Sequence, residues 1–188
     1  MSEAAGEVRD EQLDAQAEAR RRAALAQIRQ YGDPALRLRA GEVESFDGDL
    51  EGLVARMTAL MDDARGVGLA GNQVGVLHRV IVLRSDPDEP ALALVNPRIV
   101  ERSDAMEIDD EGCLSLQGVL VPVERACRIR IEALGVRGEE QELDVTGLAA
   151  RVLQHEIDHL DGVLILDRTT DDARRQALAV LRPKTVLA

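Results

Sequence analysis

Between about Asp49 and Arg65, apolar residues recur three and four positions apart. Leu50, Leu53, Val54, Met57, Leu60 and Met61 share one face, and that spacing predicts a helix. Upstream, Ala24–Gln30 (ALAQIRQ) continues helically until Gly32 and Pro34 break the run in YGDP. Downstream the period shortens to two. His78–Leu83 (HRVIVL), Ala91–Val95 (ALALV), Val119–Val123 (VLVPV) and Arg128–Ala133 (RIRIEA) are rich in β-branched residues, are bounded by turns or charges, and read as strands. The clean alternation of RIRIEA predicts a sheet with one solvated face. A further helix leads to Gly162, with Thr146 as its cap and Gly162 suited to C′. Asp171–Leu181 forms a last, modest helix. Helix, strands, then helix predicts an α+β fold: short antiparallel or mixed sheets around a central helix, in one domain. Residues 1–22 are Ala- and charge-rich with little to bury. They are expected to be a frayed acidic extension, which leaves 23–188 as the folded domain.

The helix before Gly162 carries QHEIDHLDG. With Leu148 at about 0°, Val152, His155 and His159 fall at about 40°, −20° and 20°, in one narrow stripe. Ala149, Leu153, Ile157 and Leu160 form a second apolar stripe roughly 130–140° away. Arg151, Gln154, Asp158 and Asp161 take the remaining arc, expected to be the wet side. Glu156 falls at about 80°, between the apolar stripes, where a carboxylate is costly unless it is paired or used. Two imidazoles one turn apart can reach one cation, and the H-E-x-x-H pattern makes the glutamate a general base beside it. An ordinary helix can carry this pattern by chance. The chain holds only three histidines, however, and two of them stand here.

Composition narrows the class. A net charge of −12 over 188 residues gives no basic face for phosphate neutralisation, so no nucleic-acid binding is expected. One Tyr, one Phe and no Trp leave an aliphatic core and no base-stacking platform. Two cysteines do not make a disulfide scaffold. No apolar run is long enough to span a membrane, and the acidic N-terminus is unlike a signal or transit peptide, so a cytoplasmic protein is expected.

A catalytic metal usually has three protein ligands and one open position. No histidine follows His159. Asp161 and Asp167 are carboxylate candidates, although Asp161 lies on the wet arc. Upstream, Cys113 stands in EGCLS, in a turn-like context after an acidic, flexible-looking stretch (Asp109, Asp110, Glu111). A thiolate with two imidazoles suits Zn or Fe. A lone cysteine is more often a small buried hydrophobe. Cys127, in ERACRIR, is expected to point into the core and to be structural.

Three segments taken together resemble the peptide deformylases. That family carries GxGxAAxQ, EGCLS and QHExDHLxG; here GVGLAGNQ (from Gly66), EGCLS (from Glu111) and QHEIDHLDG (from Gln154) stand in the same order. YGDPALR and GLAARVLQHEIDHLDGVLILDR are also similar, so the resemblance covers roughly Ile28 to Arg168. Gly71 replaces the usual Ala, and Ile165 stands where Phe is frequent. The resemblance implies a peptide deformylase-like catalytic domain that removes the formyl group from the N-terminal formyl-methionine of new polypeptides. It implies Cys113, His155 and His159 as ligands of one divalent metal, typically Fe(II), with Zn, Ni or Co as substitutes. Glu156 would handle the protons, while the Gln73 side chain and the Leu114 backbone N–H would stabilise the formyl oxygen. Gly66, Gly68 and Gly71 would let the loop approach substrate closely. The peptide would pair beside Val67–Gly68 and Gly112. Val67, Leu148 and Val152 would line the methionine pocket. The implied partners are N-formyl-methionyl nascent chains; the sequence is silent on a transient ribosome contact, for which Arg174, Arg175 and Arg182 are candidates, and a solvated helix face is the favoured reading of them.

Two other classes remain open to the sequence. An unrelated HExxH endopeptidase would cut internal bonds and would not need Cys113. A metal or redox sensor would close the fourth ligand position and would need neither Gln73 nor Glu156.

Overall fold

The computed structural model describes residues 3–86 and 88–182, with side chains from residue 14 onward. Residues 1–2 of the expected extension and 183–188 of the expected domain lie outside the described residues. Helix α1 spans Glu3–Leu25. The N-terminal stretch is helical from Glu3, and α1's last turn puts Ala24 and Leu25 into the core. The helical run expected through Gln30 stops at Leu25 instead. Beyond it the backbone is drawn into tertiary pairing: Arg29 N–H donates to the Gln73 carbonyl at 2.7 Å and Tyr31 N–H to the Ser115 carbonyl at 2.8 Å. Local helix propensity yields to those bonds.

Helix α2 spans Gly48–Asp63. The Asp47 carboxylate caps it, accepting from Asp49 N–H and Leu50 N–H at 3.1 and 3.2 Å, and Leu50, Met57, Leu60 and Met61 are buried as their spacing predicts. Seven strands follow among the described residues: β1 (Gly68–Ala70), β2 (Val80–Leu83), β3 (Leu92–Arg102), β4 (Met106–Gly112), β5 (Leu120–Ala126), β6 (Arg128–Leu134) and β7 (Glu140–Thr146). They form an antiparallel five-stranded sheet in the order β1-β2-β3-β6-β7 and a separate β4–β5 hairpin. Helix α3 (Gly147–Leu160) packs across the large sheet, and α4 (Asp171–Leu181) is the last described element, with the bounds its spacing predicts. The fold is α+β.

Strand β2 shows why the pattern worked. Val80 and Val82 pack toward α2, while Ile81 and Leu83 pack toward α3. A strand covered on both faces reads as the unbroken apolar run VIVL. In β6 one face is solvated: Ile129 and Ile131 are buried, and Arg128 bonds Asp144 on β7 at 2.7 and 2.8 Å. Strands β1, β4 and β7 were not predicted. The single buried position in β4 is Glu111, so the strand has no apolar alternation to read.

Two helical expectations need correction. Thr146 is the N-cap residue of α3, but its side chain makes no capping bond. Gln154 and Asp158, assigned to the wet arc, are buried because the β4–β5 hairpin lies over them. Gln154 accepts from Ala126 N–H at 3.1 Å and donates to its carbonyl at 3.0 Å. Cys127 is also only half-buried, at the turn from β5 to β6, rather than in the core.

Candidate active site

Helix α3 presents His155 and Glu156 to a cleft whose other walls include β1, the end of β4 and the turn after it, and it holds His159 buried one turn on. Cys113 is the first residue past β4. Its Sγ lies 3.2 Å from His159 Nε2, and one donor atom from each of Cys113, His155 and His159 falls within 4.8 Å of the others. Two ligands of one tetrahedral ion, with bonds of about 2.3 Å to sulfur and 2.0 Å to nitrogen, stand roughly 3.5 Å apart. The set fits a single metal ion in its donor chemistry and in its spacing. The downstream alternatives do not join it. Asp161 pairs with Arg79 at 2.7 Å, and Asp167 pairs with Arg37 and accepts from Leu164 N–H at 2.9 Å.

Glu111 orients the first histidine. Its Oε2 contacts His155 Nδ1 at 3.0 Å, which leaves Nε2 to face the cleft. The same carboxylate accepts two bonds from Arg125, both at 2.9 Å, and one from Arg151 at 2.9 Å. Arg125 also donates to Asp158 at 2.6 Å, and Arg168 bonds both Asp158 oxygens at 2.6 and 3.0 Å. A buried ionic network thus runs from His155 out to the surface.

Burial pushes Glu111 up, but the bonds from Arg125 and His155 outweigh it and the carboxyl titrates at about 2. Glu156 is pushed up to about 7, chiefly by burial, and its Oε2 has no hydrogen-bond partner among the described residues. Burial lowers His155, yet Cys113 and Glu111 outweigh burial and hold it well above its ordinary range. Burial and the neighbouring His155 hold His159 well below its own.

The remaining expected residues converge here. Gln73 sits in the 3₁₀ turn Gly71–Val74 that follows β1. Its Oε1 accepts from Ala70 N–H at 2.8 Å, and its Nε2 donates to Ser115 Oγ at 3.1 Å and lies 3.6 Å from Cys113 Sγ. The amide is thereby aimed into the cleft beside Cys113 and Leu114. Gly68 abuts α3: a Cβ there would run into the Glu156 carboxylate. Gly66 abuts Leu114, and Gly71 faces the His78 and Val76 carbonyls. These three glycines accommodate protein neighbours, which is a tighter constraint than the substrate approach expected of them. The cleft has a volume of about 590 Å³, and Val67, Gly68, Gly112, Leu148 and Val152 all line it. Val152 is buried, whereas Val67 and Leu148 are exposed at the mouth.

Sequence reasoning missed Arg125, Arg151, Asp158 and Ser115 as supports of this site. Glu111 carried a signal for them: a carboxylate beside a ligating cysteine must find cations once it is buried.

Among known proteins, the sequence profile of the polypeptide deformylase family matches residues 25–175. A peptide deformylase of Dictyoglomus turgidum is 44% identical over 149 residues, covering 79% of this chain and 95% of the relative. One from Clostridium botulinum is 45% identical over 147 residues, covering 78% of this chain and 98% of the relative. A crystal structure of a peptide deformylase from Legionella pneumophila superposes with a TM-score of 0.78 at 40% identity, covering 82% of this chain and 91% of that one. That of Synechococcus elongatus in complex with actinonin superposes at 0.79 and 36% identity, covering 84% and 91%.

Proposed function

The chain belongs to the polypeptide deformylase family, and from that membership we propose that Cys113, His155 and His159 hold its metal ion, Fe(II) in the native enzyme, with Zn, Ni or Co able to substitute. The protein is a metal-dependent hydrolase that removes the N-formyl group from the formyl-methionine of newly made polypeptides and releases formate. The observation that carries the residue assignment is the convergence of Gln73 and Glu156 on the same cleft as the Cys/His/His set. A binding-only site needs neither.

A cation held by these three residues supplies a Lewis acid for the formyl carbonyl and lowers the pKa of water beside it. Glu156, poised near neutrality by burial, takes the proton of the attacking water and delivers one to the leaving amine. The Gln73 amide and the Leu114 backbone N–H donate to the formyl oxygen as it gains charge. Ser115 and Ala70 hold that amide in place. Glu111 fixes the His155 ring through Nδ1. Val67–Gly68 and Gly112 take the extended peptide by strand-like pairing, and Val67, Leu148 and Val152 receive the methionine side chain.

No helix among the described residues is long and apolar enough to cross a membrane, and we assign the enzyme to the cytoplasm, where formylated chains emerge. Arg174 and Arg175 lie beside Asp167 and Asp172, which favours the solvated-face reading of α4 over a ribosome contact.

The direct test is formate release from a formyl-Met tripeptide by anaerobically purified protein, with metal content measured on the same sample. Formate with about one metal per chain, both lost in Cys113→Ala, is expected. A Cys113→Ala variant that keeps metal and activity would overturn the ligand set.

A further inference from the structure

The cleft has a wall that the family match does not reach. The match begins at residue 25, yet Arg21 of α1, upstream of it, lines the same cleft as Cys113 and Glu156. Arg65 lines it too. Arg65 stands just past the end of α2 with φ +59°, while its N–H donates to the Asp62 carbonyl at 3.0 Å and Gly66 N–H donates to the Met61 carbonyl at 2.9 Å. This is the left-handed helix-ending position where glycine is the default. A long cationic side chain held in that strained conformation invites a functional reading.

Among the described residues, Arg65 is exposed and makes no ion pair, and the one ion pair of Arg21 is a long, exposed contact of 3.7 Å with Glu18 on its own helix. The third lining arginine, Arg151, is bonded to Glu111. One exposed acid, Asp110, faces the cleft from β4, a different wall.

Exposure separates floor from rim. Gly68, Gln73 and Glu156 are buried, whereas Arg65, Val67, Leu120 and Leu148 are exposed. The formyl group reacts at the floor, so the residues following methionine must leave across the rim. We propose that Arg21 and Arg65 make the rim a selector for an acidic side chain in the first two residues after the formyl-methionine, with α1 supplying half of that charge. This rests on the deformylase reading of the site.

The test compares kcat/KM of the metal-loaded full-length enzyme on formyl-Met peptides that carry Glu or Gln at the second residue, and in a separate pair at the third. In at least one pair the Glu peptide is expected to be favoured about three- to fivefold, through KM, with the preference fading as salt rises. Arg21→Glu should reverse the preference. Arg65→Gly, which also relaxes the backbone, should reduce it. Arg22→Ala, on the exposed side of the same helix, should leave it alone. Equal rates on Glu and Gln in both pairs, or a preference that survives both Arg21→Glu and Arg65→Gly, would overturn the proposal while leaving the deformylase intact. No formate from any of the four peptides would overturn the site assignment and this proposal with it.

Discussion

Glu111 and Glu156 are two buried carboxylates of one site, and they titrate on opposite sides of their ordinary value. Glu111 meets Arg125, Arg151 and His155, and falls to about 2. Glu156 lies against the bare backbone of Gly68, with one oxygen unpartnered, and rises to about 7. Burial raises both. What differs is that Arg125 and His155 bond Glu111 directly but act on Glu156 only through space. The difference suits each group to its proposed work: a carboxyl locked as an anion can hold a histidine, and one poised near neutrality can move a proton.

The strongest way to break this contrast is Glu156→Gln. Turnover should fall by about 100- to 10,000-fold, with metal content unchanged; formate assays beside metal analysis check it. Turnover near wild type would remove Glu156 as the proton carrier. Next in size is Arg125→Met, which takes a shared cation from Glu111 and Asp158. Because buried charges lose a partner, unfolding free energy should drop by about 3 kcal/mol, measured by urea denaturation. An unchanged midpoint would mean that Arg151 and Arg168 suffice.

The two shifts also predict opposite pH limbs for the metal-free protein. Glu111 is depressed, so its stabilisation is present above about 4.5 and is lost as pH falls toward about 2. Glu156 is raised, so its stabilisation is present below about 4.5 and is lost as pH rises through about 7. Each limb corresponds to about 3 kcal/mol. Urea unfolding at pH 3, 5 and 8 should show Glu111→Gln flattening the acid limb and Glu156→Gln flattening the neutral one. The same limb flattening in both variants would erase the distinction. The smallest effect sharpens the role of Glu111 as a support. Glu111→Gln keeps its shape but should weaken metal binding by about 10- to 100-fold, read by chelator competition.

Much of the site was legible in the residues themselves. The stripe shared by Leu148, Val152, His155 and His159 follows from the 100° rotation of a helix, and Glu156 between apolar stripes follows from the same geometry. Cys113 and Gln73 were reachable only through the motifs around them, because no local period says that residue 73 will meet residue 113. The acidic strand β4 escaped entirely. Its inward position is filled by a charge that only a folded partner can neutralise.

The sequence by itself determined α2, α4, the strands VIVL and RIRIEA, the α+β class, and the helix that carries both histidines. Each of these depends on contacts between near neighbours or on a repeated apolar face. Only the tertiary structure decided that Gln154 and Asp158 are buried, that Glu111 rather than solvent orients His155, and that α1 brings Arg21 to the cleft. Those facts depend on the β4–β5 hairpin lying over α3 and on α1 packing against α2. Pairings between segments tens of residues apart leave no periodic trace along the chain.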